Sequence, residues 1–121
     1  MEQEIRGQVP PNALEAERSV LGGILLENEA MNVVLEILSA GDFYSEANAK
    51  VFEAMVSLFQ QSQPVDQVTL REALADTGKL AAVGGDEYLL SLNNASQTDA
   101  NIDAHARIIR EKAHVRNLSH I

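Results

Sequence analysis

Residues 45–59, SEANAKVFEAMVSLF, place Ala47, Val51, Phe52, Met55 and Phe59 at spacings of four, one, three and four. That is the repeat of an amphipathic helix with one face turned to a core. Ser45 stands where its hydroxyl can cap the first turn. Immediately upstream, Ser39-Ala40-Gly41-Asp42 reads as a break and Phe43-Tyr44 as an aromatic plug. Downstream, Gln63-Pro64-Val65-Asp66 reads as a connector whose Asp66 caps a short helix carrying Leu70, Ala73 and Leu74, stopped by Thr77-Gly78.

The same pattern continues outward on both sides. Towards the start, Pro10-Pro11-Asn12 announces a helix, with Asn12 as N-cap and Glu15 three residues on, and with Leu14, Val20, Leu21, Ile24 and Leu25 on one broad face running to about Glu27. A second helix follows Asn28. Its polar stripe is narrow (Glu29, Asn32, Glu36) against Met31, Val34, Leu35 and Leu38, so it is expected to be buried around most of its circumference. Towards the end, residues 79–83 read as a turn closed by Gly84-Gly85, and Tyr88, Leu89 and Leu92 mark a fifth helix ended by Asn93-Asn94. A last helix begins near Thr98 with Ile102, Ala106, Ile109 and Ala113 on one line and Ala104, Ile108, Val115 and Leu118 on another. The second line fits either an outside partner or neighbours within the fold. No convincing strand alternation or internal repeat interrupts this reading.

Composition agrees with one folded helical domain. The chain has 121 residues, 45% hydrophobic and 22% charged, with 4% aromatic content and no tryptophan, so its core must come mainly from aliphatic side chains. The absence of cysteine removes disulfides and thiolate chemistry. No apolar run supports a secretion signal or a membrane span, and the cytoplasm is the expected compartment. The net charge of −9 is unevenly spread: residues 1–105 carry five basic and seventeen acidic side chains, whereas 106–121 carry Arg107, Arg110, Lys112 and Arg116 against Glu111. So acidic a body argues against direct DNA binding. The basic end fits complementation of a helix dipole or recognition of a partner.

Nothing in the sequence assembles a catalytic or ligand site. Gly22-Gly23 falls inside a helical pattern, which suits close helix approach rather than a phosphate loop. Gly78-Lys79 lacks the flanking residues of a nucleotide motif. His105, His114 and His120 make no His-x-x-x-His ligand pair. Glu15 with Glu17, or Asp99 with Asp103, can be drawn as acid/base pairs, but all four read as exposed helix positions.

The words of the sequence add a resemblance. Residues 10–23, PPNALEAERSVLGG, resemble the opening signature of DnaB-type replicative helicases, and four further blocks agree in order. These are Asp42-Phe43-Tyr44; Pro64-Val65-Asp66 with Val68-Thr69-Leu70; Gly84-Gly85 with Tyr88-Leu89; and 100–102 through 106–113. The resemblance implies an all-α, compact six-helix bundle whose longer C-terminal helix leads towards a helical hairpin. It divides the chain into a disordered extension (1–9), a globular domain (10–97) and a terminal helix (98–121) that starts a truncated hairpin.

Functionally, the resemblance implies a non-catalytic N-terminal domain that builds the trimer-of-dimers collar of a hexamer and docks the C-terminal domain of primase. ATP and magnesium would belong to a motor domain absent from this chain. Glu15, Tyr88 and Leu118 match primase-contacting positions, although Tyr88 fits equally as a ring packed between helices with its hydroxyl at the surface, and Ala104, Ile108, Val115 and Leu118 match the self-association face. A stand-alone helical replication adaptor without a motor is the alternative. A downstream GxxxxGK[ST] in the reading frame distinguishes the two.

Overall fold

In the computed structural model, residues 12–95 and 101–119 are described. They form six α-helices: α1 (Leu14–Leu26), α2 (Ala30–Ile37), α3 (Glu46–Gln60), α4 (Gln67–Asp76), α5 (Gly85–Asn93) and α6 (Ile102–Ser119), with a short 3-10 turn at Ala40–Asp42. No strand occurs among the described residues. The expected extension over 1–9, the helix start near Thr98, and the residues Asp99 and His120 lie outside them.

One apolar core joins all six helices. Val20, Leu21 and Ile24 of α1 meet Met31 and Val34 of α2, Val51, Phe52 and Met55 of α3, Leu70 and Leu74 of α4, Leu89 and Leu92 of α5, and Ala106 and Ile109 of α6. The aromatic plug is real: the Phe43 ring lies 5.0 Å from that of Phe52, tilted by 35°. Ser45 caps α3 by accepting from the Asn48 N–H at 3.1 Å. Asp66 and Thr69 close a reciprocal capping box on α4. Asn28 fixes two connections at once. Its amide donates to the Val65 carbonyl at 2.9 Å and accepts from the Val65 N–H at 2.8 Å, tying the α1–α2 loop to the α3–α4 connector.

Three expectations need correction. Ala13, not Asn12, occupies the N-cap of α1, and no side chain caps it. Helix α2 is buried on one side only. Met31 and Val34 are inside but Val33 and Leu35 are exposed, because α2 is a two-turn element packed mainly against α1 and α6. The basic residues of α6 do more than complement its dipole. Arg116 donates to the Asp42 carbonyl at 2.8 Å, and its guanidinium lies 5.4 Å from the Tyr44 ring centroid. Arg110 also approaches the Asp42 carboxylate, at 3.9 Å. These contacts bind the terminal helix to the 3-10 turn.

Candidate assembly and docking site

Two features of the described residues stand out: a buried polar network joining α1, α3 and α5, and an outward apolar ridge along α6.

The network begins with Glu17, which is 1% exposed and not the surface position its type suggests. Together with Val20, Leu21 and Ile24 it occupies the i, i+3, i+4, i+7 stripe that α1 turns to the core. A carboxylate is tolerated there because donors surround it. The Tyr44 N–H donates to Oε2 at 2.6 Å, the Ser45 N–H to Oε1 at 3.3 Å, and the Asn48 amide to Oε1 at 2.9 Å. All three donors lie at or just before the N-terminus of α3, where the helix dipole also favours negative charge. Asn48, also 1% exposed, spends its remaining acceptor on the Tyr88 hydroxyl, which donates to Oδ1. That fixes the amide orientation, since a flip would turn its oxygen towards the carboxylate.

Tyr88 thus closes the network from α5 and is half-buried. The Arg18 guanidinium lies 5.5 Å from its ring centroid. Burial pushes the Tyr88 hydroxyl above its ordinary range, and the adjacent Arg18 pulls part of the way back. Gly84 makes room for it: with φ of +109° at the start of α5, a Cβ there would stand 2.8 Å from the Tyr88 Cβ. Glu15 is exposed on α1, one turn before Arg18, so Glu15 and Tyr88 lie on adjoining helices.

The ridge is built by α6. Ala106, Ile109 and Ala113 are buried, Ile102 packs partly against the core, and the Ser19 hydroxyl meets His105 Nδ1 at 2.9 Å. On the opposite side Ala104, Ile108, Val115 and Leu118 are all exposed, Leu118 by 56%. The expected second line of the last helix therefore faces outward rather than into its own domain. Sequence reasoning named the ridge but missed Glu17, Asn48 and Arg116. For the first two a signal existed, because each stands at the first position of a core stripe (17, 20, 21, 24 and 48, 51, 52, 55). Among the described residues no cluster of three or more His, Cys, Asp or Glu side chains is arranged to hold a metal, and no helix is long and apolar enough to cross a membrane.

Fold and site define an all-helical platform domain, locked by a buried polar network and edged by an exposed apolar helix face. Comparison with known proteins gives the family. The model for the DnaB-like helicase N-terminal domain matches residues 9–111, and the chain belongs to that family. It is 41% identical over 96% of its length to the replicative DNA helicase DnaB of Treponema pallidum. It is 40% identical over 94% to the replicative DNA helicase DnaC of Bacillus subtilis. These matches span about a quarter of each relative, 26% and 25% respectively.

Among solved structures, the DnaB N-terminal domain of Mycobacterium tuberculosis superposes with a TM-score of 0.89 at 42% identity, covering 93% of this chain and 78% of that one. That of Helicobacter pylori, described with its interactions with primase, gives 0.73 at 30% identity, covering 88% and 82%. The six-helix all-α expectation is met, and the family resemblance with it.

Proposed function

We propose that this domain serves a hexameric replicative helicase as a non-catalytic platform, assembling the subunit collar through α6 and docking the C-terminal domain of primase near Glu15 and Tyr88. The observation that carries the reading is the two-faced terminal helix. One side of α6 completes the domain core while Ile108, Val115 and Leu118 face outward, a use of large apolar side chains that costs solubility unless another subunit covers them. The Helicobacter pylori relative, described with its interactions with primase, supports the second half of the proposal. The acidic body, which repels a phosphate backbone, suits protein partners better than DNA.

Two measurements test the reading. Introducing Ile108→Asp and Leu118→Asp into the ring-forming protein should break the ring into smaller species by native mass spectrometry; an intact hexamer removes the assembly role. Titrating a primase C-terminal domain into the labelled chain should shift amide signals around Glu15, Tyr88 and the end of α6. A shift pattern that avoids all three removes the docking role.

A further inference from the structure

Arg18 is a cation without a carboxylate. Among the described residues Arg71 has Asp86 at 2.8 Å, Arg107 has Asp103 at 3.1 Å, Lys79 has Glu53 at 3.8 Å and Arg110 has Asp42 at 3.9 Å, whereas no acid stands within ion-pair distance of Arg18. The chain does not lack acids, with a net charge of −9. Its sequence neighbour Glu17 is turned into the core, where Tyr44, Ser45 and Asn48 take up the carboxylate. Glu15, one turn earlier on α1, is exposed and forms no ion pair with it among the described residues.

What holds the guanidinium is a ring. It lies 5.5 Å from the centroid of Tyr88 on α5, and both residues are half-buried. The ring is itself tethered, because its hydroxyl donates to the buried Asn48 Oδ1 and Asn48 donates to Glu17. Gly84 leaves the space that the start of this side chain fills. A long side chain is thereby given one resting place. A planar fork already held in position loses less freedom when it grips a carboxylate.

We infer that Arg18 is a specificity-determining residue of the docking surface: its guanidinium, shelved on the Tyr88 ring, receives an Asp or Glu side chain of primase. The inference deepens the reading that primase docks near Glu15 and Tyr88, and rests on it. A single guanidinium matches the charge and the paired oxygens of one carboxylate. Exposed Glu15 and Glu87, on the same two helices, disfavour a polyanion in its place. Tyr88 then works at the surface through its ring, its hydroxyl being spent on Asn48. Asn48 and Glu17 act through it as positioning residues.

Calorimetric titration of the whole chain with primase tests the assignment. Arg18→Gln should weaken binding at least about tenfold, while its urea midpoint stays among those of surface variants. Arg18→Lys keeps the charge but loses the stacked fork, and its affinity should lie closer to that of Arg18→Gln than to the wild type. Tyr88→Phe keeps the shelf and should bind within about twofold of the wild type. Replacing the Asp and Glu residues of primase by Asn and Gln, one at a time, should find a carboxylate whose loss weakens binding to the wild type but not to Arg18→Gln.

Unchanged binding by Arg18→Gln, full affinity in Arg18→Lys, a loss in Tyr88→Phe as large as that in Arg18→Gln, or no primase carboxylate coupled to Arg18 overturns the inference. Each of these leaves primase docking itself in place. If the wild-type chain does not bind primase at all, the docking reading falls and the role of Arg18 falls with it.

Discussion

Oε1 of Glu17 lies 2.9 Å from Nδ2 of Asn48, and both residues are 1% exposed, so the contact between α1 and α3 includes a charge-assisted hydrogen bond inside an apolar core. The same carboxylate accepts the backbone N–H groups of Tyr44 and Ser45. Glu17 thus performs for the entry to α3 what Ser45 alone cannot, satisfying donors upstream of the cap.

Replacing Glu17 by Gln keeps the shape and puts an amide NH2 among N–H donors. At least one of Tyr44, Ser45 and Asn48 then loses its acceptor. The expected cost is about 2–4 kcal/mol, at the level of breaking a buried charged partner rather than a surface bond. A urea titration checks this. A change below the scatter of ordinary surface variants would show that the network contributes no net stability.

Tyr88→Phe removes the hydroxyl and keeps the ring under Arg18, leaving Asn48 Oδ1 without that donor. A loss of about 1–2 kcal/mol is expected near neutral pH. The variant also isolates a pH effect. Burial favours the neutral phenol in the folded state and raises its pKa above the ordinary 10.0. Below pH 10 both states keep the proton and the full contribution is present. Above it the unfolded chain ionises first, so stability is lost as the pH climbs from 10 through the folded pKa. Urea midpoints measured from pH 8 to 11 should fall more steeply for the wild type than for Tyr88→Phe; parallel curves contradict this account.

Arg116→Ala removes both the hydrogen bond to the Asp42 carbonyl and the cation held over Tyr44. About 1–2 kcal/mol should be lost, and the loss should be local. Amide hydrogen exchange in the last turns of α6 should accelerate while the first turns keep their protection. Uniform acceleration along α6 would mean that the 3-10 turn is not its anchor.

The sequence made the helices legible because their signals are local. Ser45, Asp66 and Thr77-Gly78 mark starts and stops through bonds to their own neighbours, and the stripes of α3 and α6 repeat within a few turns. What it concealed depends on residues far apart in the chain. Glu17 looks like a surface acid until Tyr44, Ser45 and Asn48 are placed around it, 27 to 31 positions away. The basic end of α6 looks like dipole compensation until Asp42, 74 positions before Arg116, comes into reach. The expected burial of α2 failed for the reciprocal reason. Its apolar content is real, but whether Val33 and Leu35 are covered depends on which neighbours arrive, and those that do leave 41% and 38% of them exposed.

Adjacent residues of α6 provide the sharpest separation of folding from assembly. Ile109 is 1% exposed in the core, whereas Ile108 is 40% exposed on the ridge. Truncating Ile109 to Ala empties space in the core where α6 packs on α1 and α2, and should cost about 2–4 kcal/mol. The same change at Ile108 removes atoms that water already touches, so the isolated domain should lose less than about 1 kcal/mol. Assembly should respond in the opposite order once the stability loss is allowed for: Ile108→Ala weakens subunit contact directly, and Ile109→Ala only through the fraction of unfolded chain. Denaturant midpoints and subunit dissociation measured on the same two variants therefore cross over. If Ile108→Ala proved as destabilising to the isolated domain as Ile109→Ala, both faces of α6 would belong to the core, and nothing would be left on that helix for another subunit to cover.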